Sequence, residues 1–127
     1  MIAVLLLLGT SLLLVGLAVP LLRRKVPPNA LYGLRVPQTL EHPDVWYEAN
    51  ARSARDLLRL GAVLTLVAAV GLVLPPSSRH LVMVPWSLVL VIGTVVYAIR
   101  GVRIARAVTR ELQGPAGDDP SRGSLSG

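Results

Sequence analysis

The sequence contains no cysteine, which excludes disulfide bonds, thiol chemistry and cysteine-ligated metal sites. It has no phenylalanine and only five aromatic residues, three tyrosines and two tryptophans. Its two histidines, His42 and His80, have no partner at metal-ligand spacing, and no serine lies beside a candidate base. We therefore expect no enzymatic activity, no metal and no cofactor.

Charged residues are also missing from three long apolar stretches, at residues 2–22, 60–74 and 81–99. A helix that spans a bilayer needs about 20 mainly apolar residues, and the middle stretch reaches this length if it is extended at its start. The sequence thus predicts an all-α membrane protein with three transmembrane helices, at about residues 2–22, 43–74 and 81–112. The first stretch has no basic residue before it, so we expect a retained helix and not a cleaved signal peptide. Because proton and ion pathways use ionisable groups inside the membrane, a pump or coupled transporter is disfavoured.

Basic residues are distributed unevenly around the apolar stretches. Seven lie in the first connection, residues 23–59, five follow the third stretch, and only Arg79 lies in the second connection. By the positive-inside rule, the N-terminus faces out, while the C-terminus and the first connection face the cytoplasm. We expect a multi-pass protein of the bacterial plasma membrane. Since the net charge of +6 comes from residues that set orientation, no nucleic-acid partner is expected.

The end of the third helix carries a row of arginines. Arg100, Arg103, Arg106 and Arg110 fall within about a third of the helical circumference, with apolar side chains on the other face. This pattern is typical of an amphipathic extension that rests on anionic lipid headgroups, although an ordinary orientation signal explains it equally well. Residues 114–127, which follow, are rich in Gly, Pro, Ser and Asp and are expected to be disordered.

Small residues recur on the apolar stretches, at positions that include Gly9, Gly16, Gly61 and Ala68. Such residues let membrane helices approach closely. They predict packing within one three-helix bundle or, alternatively, self-association into a homo-oligomer. Trp86 is expected near the outer interface, where aromatic side chains concentrate.

The cytoplasmic connection contains an unusual segment, NALYGLRVPQTL, at residues 29–40. It has no clear helical period and predicts an ordered loop. Gly33 indicates a left-handed turn or a close backbone approach. The isolated Arg35 is expected to pair with carboxylates, for which Asp44 and Glu48 are candidates, or to cap backbone carbonyls.

Aromatic residues concentrate around the same segment, since Tyr32, Trp46 and Tyr47 are three of the five in the chain. Together they predict an amphipathic cap on the cytoplasmic face. This cap either seals the inner mouth of the bundle or presents a docking surface for a protein, a peptide or a lipid headgroup.

The segment and the helix start after it carry a pattern of mixed chemistry: Pro28-Asn29-x-x-Tyr32-Gly33-Leu34-Arg35-x-Pro37-x-Thr39-Leu40, then Val45-Trp46 and Asn50. This pattern resembles the signature of the SdpI family of bacterial integral membrane proteins, and the resemblance covers residues 28–50. It implies that a set of motif residues forms the functional or binding site: Asn29, Tyr32, Gly33, Arg35, Pro37, Thr39, Trp46 and Asn50.

The resemblance also implies a function. The best-known member of the family protects its own cell from a secreted peptide toxin, and it draws a transcriptional repressor to the membrane when toxin is present. That member has more transmembrane helices than the three predicted here. Our first hypothesis is therefore toxin immunity or signalling, with a peptide toxin or a cytoplasmic regulator as partner. The alternative is a structural or accessory membrane subunit that acts by helix–helix packing.

Overall fold

The fold is known from a computed structural model that describes residues 1–29 and 33–113. Within these ranges the chain is helical, with no strand. The predicted disorder of residues 114–127 and the predicted role of Tyr32 lie outside the described residues. The helices, in chain order, are α1 (Ile2–Leu22), a short α2 (Pro37–Glu41), α3 (Pro43–Val73), a 3₁₀ helix (Pro76–Val82) and α4 (Met83–Gln113).

Three helical segments of the described chain are long and apolar enough to cross a membrane, namely Ile2–Leu22, Pro43–Val73 and Pro76–Leu112. α1 covers the residues predicted for the first helix. α3 begins, as the sequence indicates, at Pro43 after the extended residue His42, because proline suits the first helical position. The third segment differs from its prediction, since residues 76–82 form a 3₁₀ helix before α4 begins at Met83.

α3 is the central helix, and both α1 and α4 pack against it. Small residues make this packing close. A Cβ added at Gly61 would lie 2.8 Å from the Cγ2 atom of Val15 on α1, and one added at Gly93 would lie 2.3 Å from Cδ1 of Leu60. Ala68 is fully buried. The prediction that small residues serve packing within the bundle is therefore confirmed for the α3 positions.

Two other small residues do not take part in these contacts. Gly9 and Gly16 on α1 are exposed, and a Cβ added at either would meet no atom within 4 Å. The single-bundle explanation thus fails for these two positions, which face away from α3.

Trp86, which the sequence analysis places near the outer interface, turns its side chain into the bundle. Its side chain is only 6% exposed and packs with Leu64 and Ala68 inside the bundle. The indole Nε1–H donates a hydrogen bond to the hydroxyl of Ser11 at 3.1 Å, which links α4 to α1. A buried indole needs such an acceptor. The preference for interfaces is a local rule, and it cannot anticipate a partner 75 residues away.

The last turns of α4 pack against α3. Val108 and Ala105 are fully buried, and they pack with Val45 and Ala49 of α3. On the face opposite the arginines, Val108 is therefore covered by protein, whereas Leu112 is 52% exposed. The arginines at positions 100, 103, 106 and 110 remain exposed.

Candidate functional site

The connection between α1 and α3 is folded back onto the first turns of α3. α1 ends at Leu22, and Arg24 takes a left-handed conformation with φ of 56°. The chain then runs through Val26, whose carbonyl oxygen accepts a hydrogen bond from the indole Nε1 of Trp46 at 2.8 Å. Trp46 is fully buried. This bond fixes the start of the loop, and the Nδ2 of Asn29 stabilises the next turn by donating to the Pro27 carbonyl at 2.7 Å.

Gly33 lies directly over the side chains of Trp46 and Asn50. Its φ is 112°, a conformation that side chains other than hydrogen rarely adopt. A Cβ at this position would lie 2.8 Å from the Asn50 Oδ1 atom and 3.2 Å from the Trp46 ring. Both reasons for glycine that the sequence analysis gives, a left-handed turn and a close approach, apply here.

Asn50 binds the backbone of the loop through both ends of its side-chain amide. Its Oδ1 accepts a hydrogen bond from the Leu34 N–H, and its Nδ2 donates to the Leu34 carbonyl at 3.4 Å and to the Trp46 carbonyl at 2.9 Å. The residue is 1% exposed. An amide that donates and accepts suits this task, since a buried peptide group needs both partners.

Thr39 organises the second half of the loop. Its hydroxyl accepts a hydrogen bond from the Val36 N–H at 3.0 Å and lies within donor distance of the Leu34 and Val36 carbonyls, at 2.8 and 2.9 Å. The backbone N–H of Val36 precedes α2, so Thr39 caps this short helix from its third position. The sequence analysis predicts a loop here and misses α2. The signal for it was Pro37 followed two residues later by Thr39.

Leu34 carries the loop into the protein core. It is 7% exposed and belongs to one buried cluster with Val45 of α3 and Ala105 and Val108 of α4. A Cβ on Gly101 of α4 would lie 2.8 Å from its Cδ1 atom, so glycine at 101 makes room for it. The sequence analysis quotes Leu34 in the motif without giving it a role. Its role is to insert between α3 and α4.

The structure therefore divides the predicted site residues into two groups. Gly33, Thr39, Trp46 and Asn50 converge at one point and are occupied in fixing the loop. The others that the structure describes lie at its surface: Arg35 and Pro37 are exposed, and Asn29 is half-buried.

Comparison with known families bears on this loop. The model of the SdpI/YfhL protein family matches residues 25–103. The chain belongs to this family. It is accordingly a multi-pass membrane protein of the SdpI type. No curated protein and no solved structure gave a match.

The part of the chain that matches the SdpI family contains the loop, α2, α3 and α4 as far as residue 103. It leaves out α1 and the final turns of α4. One of two charge networks lies entirely inside this region. The carboxylate of Asp56 accepts hydrogen bonds from Arg59 at 3.2 Å and from Arg100 Nε at 2.8 Å, and so connects α3 to α4. The Asp56 side chain is 13% exposed.

The second network extends beyond the matched residues 25–103 at both ends. Glu48 of α3 binds Arg24, after α1, and Arg52, and Arg52 in turn binds Glu111 near the end of α4 at 2.7 Å. Glu48 is one of the two carboxylates that the sequence analysis offers to Arg35, and in the structure its two oxygens bind Arg24 and Arg52. These two guanidiniums, which hydrogen-bond the Glu48 carboxylate outside the apolar part of α3, hold its pKa below the usual value. In the described residues no three acidic or histidine side chains form a group that could hold a metal ion.

Proposed function

We propose that this SdpI-family protein acts in immunity to a peptide toxin or in signalling at the plasma membrane, through protein contacts on the outer surface of the loop at residues 33–41. The observation that carries the proposal is the two-sided hydrogen bonding of Leu34 by Asn50. A loop that only connected two helices would need no buried amide to fix its backbone. A loop that presents a recognition surface does, since ordering it in advance lowers the entropic cost of binding.

The positions of the exposed side chains support this division of roles. Arg35, Pro37 and Glu41 are exposed, and Leu40 is 48% exposed, so the outer surface of the loop combines charge with apolar area. Arginine beside apolar groups is typical of protein-binding surfaces. The buried motif residues then position this surface, and the exposed ones contact the partner.

The cytoplasmic location of the loop is part of the proposal. Exposed or half-buried charges gather at the loop end of the bundle, where Arg24, Arg52 and Arg100 all lie. The positive-inside rule assigns such an end to the cytoplasm.

Because the chain has no cysteine, single cysteines can test this orientation directly. We expect an impermeant thiol reagent added to intact cells to label Ser77→Cys, in the 3₁₀ helix, and to leave His42→Cys unlabelled until the membrane is opened. Both residues are exposed, so accessibility within the protein is matched. Labelling of His42→Cys in intact cells would place the loop outside and remove the proposed cytoplasmic partner.

Survival of cells exposed to a panel of secreted membrane-active peptides tests immunity itself. Cells that express the wild-type protein should survive at least one peptide that kills cells without it. Arg35→Ala should lose this protection at unchanged membrane levels, while Arg103→Ala, which also removes one exposed arginine, should retain it. Equal killing with and without the wild-type protein across the panel would refute the immunity function.

Signalling needs a separate assay. A cytoplasmic regulator that binds the loop should co-purify with membranes that contain the wild-type protein, and Arg35→Ala should release it while Arg103→Ala does not. A toxin precursor or a small repressor encoded in a neighbouring gene would supply the partners for both assays.

The alternative function, a structural or accessory subunit, is favoured by one observation. Gly9 and Gly16 lie one above the other on the exposed face of α1, with open space around both. Gly9→Leu should then impair function more than Arg35→Ala. Gly61→Leu cannot serve this test, because Gly61 already contacts the Val15 side chain and the substitution would disturb the bundle itself.

A further inference from the structure

A groove of about 280 Å³ lies between α3 and α4 where the apolar halves of these helices meet the charged end of the bundle. Its charged end is formed by Asp56, Arg59 and Arg100. Its walls continue along the apolar parts of both helices. The groove therefore has a cationic end and, next to it, an apolar furrow between the two helices.

The charges at this end are not balanced. Asp56 contributes one negative charge and the two arginines contribute two positive charges. Each Asp56 oxygen binds one guanidinium, Oδ1 through Arg59 Nη1 and Oδ2 through Arg100 Nε. A guanidinium has five N–H donors, so Asp56 orients both groups while using a minority of their donors. The result is a pre-oriented pair of guanidiniums with a formal net charge of +1.

The walls of the groove are exposed and apolar. Val63 of α3 and Val96 of α4 are 46% and 47% exposed, and both lie in segments apolar enough to span a bilayer. Leu60 lies across Gly93, where an added Cβ would come within 2.3 Å of its Cδ1 atom. Glycine at 93 thus leaves the depression between the helices open, and a larger side chain would push Leu60 into it.

We propose that this groove is a binding site for one anionic phospholipid, with the phosphate between Arg59 and Arg100 and an acyl chain along Val63 and Val96. Two oriented guanidiniums match a phosphate in charge and in hydrogen-bond geometry. The apolar walls match an acyl chain, and the cytoplasmic leaflet supplies anionic lipid. The inference goes beyond the proposed function and does not depend on any toxin or regulator.

Native mass spectrometry of the purified full chain can test the site, with phosphatidylglycerol and phosphatidylcholine of identical acyl chains as probes. We expect phosphatidylglycerol to be retained in preference to phosphatidylcholine. Arg59→Gln combined with Arg100→Gln should weaken that retention about tenfold or more, because it removes charge-assisted hydrogen bonds. Arg103→Gln combined with Arg106→Gln removes the same charge from an exposed part of α4 and should have little effect. Equal losses in the two double variants would reduce the site to general electrostatics and overturn the proposal.

A second pair of variants tests the acyl channel with all charges intact. Gly93→Leu should abolish the retained phosphatidylglycerol, while Gly9→Leu, on the open face of α1, should leave it unchanged. If Gly93→Leu prevents folding, Val63→Trp fills the channel from its exposed rim and should give the same loss. Soluble glycerol phosphate in excess should not displace the lipid, and displacement would show that only the phosphate is bound. Lipid-free dimers that Val63→Trp disrupts and Gly9→Leu does not would show that a second copy fills the groove, and the proposal would fail.

Discussion

Removing the Asn50 side chain should detach the loop from α3 without unfolding the bundle. The substitution Asn50→Ala deletes the acceptor of the Leu34 N–H and the donor to the Leu34 and Trp46 carbonyls. These three backbone groups differ in the hydrogen bonds that remain to them. The Trp46 carbonyl belongs to the hydrogen-bond ladder of α3, and the Leu34 carbonyl still lies 2.8 Å from the Thr39 hydroxyl. Only the Leu34 N–H loses its partner completely.

The expected free-energy cost follows from that single group. A buried donor left without an acceptor costs about 1–3 kcal/mol, and each 1.4 kcal/mol corresponds to about a factor of ten in an equilibrium. Since the Leu34 side chain stays in its cluster with Val45 and Val108, the cost falls on the loop and not on the helix packing. The loop should therefore open about 5- to 150-fold more often.

Hydrogen–deuterium exchange of the protein in lipid nanodiscs measures this opening. Amides of Leu34, Val36 and Leu40 should exchange faster by that factor, while amides in the apolar half of α3 keep their protection. Ser53→Ala is a matched control, because Ser53 is also buried on α3 but its hydroxyl binds the Asn50 carbonyl of its own helix at 3.3 Å. Unchanged exchange in the loop of Asn50→Ala would refute the role given to Asn50. So would an equal effect of Ser53→Ala on the loop.

Three further perturbations test other parts of the site. Trp46→Phe removes the donor to the Val26 carbonyl and leaves part of a fully buried site empty, so the free energy of unfolding should fall by about 2–4 kcal/mol in a denaturant titration, and an unchanged value would contradict the anchoring role. Gly33→Ala should cost about 1–2 kcal/mol for the left-handed backbone alone, whereas Gly16→Ala, in open space within α1, should not destabilise the protein in the same assay. The Glu48 pKa is lowered in the folded state, so its contribution to stability is present above the ordinary value of 4.5 and is lost as the pH falls through the lower folded value. Thermal unfolding from neutral to acidic pH should show this loss, and Glu48→Gln should flatten it.

The long helices were accessible to sequence reasoning because their signals are local. An uncharged run of residues 2–22 and a proline after the extended His42 mark the bounds of α1 and the start of α3 without knowledge of the partner helix. The turn at residues 76–82 was harder, since two consecutive prolines indicate a break but do not tell an open turn from a 3₁₀ helix. Trp86 shows the limit most clearly, because its burial depends on a hydroxyl on α1.

The sequence singles out residues of the loop but does not show how their side chains hold it together. The role of Gly33 could be predicted from the residue alone, because only glycine adopts such a backbone conformation readily. The roles of Asn50 and Thr39 could not be predicted in this way, since they depend on which backbone groups the side chains bind in the folded protein. The salt bridge of Glu48 with Arg24 could not be assigned either, because Arg35 is closer to Glu48 in the sequence. Only the pair with Arg52, four residues further along α3, follows from helical spacing.

The burial of half the motif constrains where specificity can reside. Thr39 and Asn50 are bonded to the loop backbone, and a partner that docks from the cytoplasm cannot touch them without first unfolding the loop. In the proposed function, the contacts with a partner therefore come from exposed side chains such as Arg35 and Leu40. Substitution of Arg35 or Leu40 should therefore change which partner is bound, while the loop amides keep their protection from hydrogen–deuterium exchange. Changing Thr39 should instead weaken every partner together, because the surface that carries all the contacts would lose its shape.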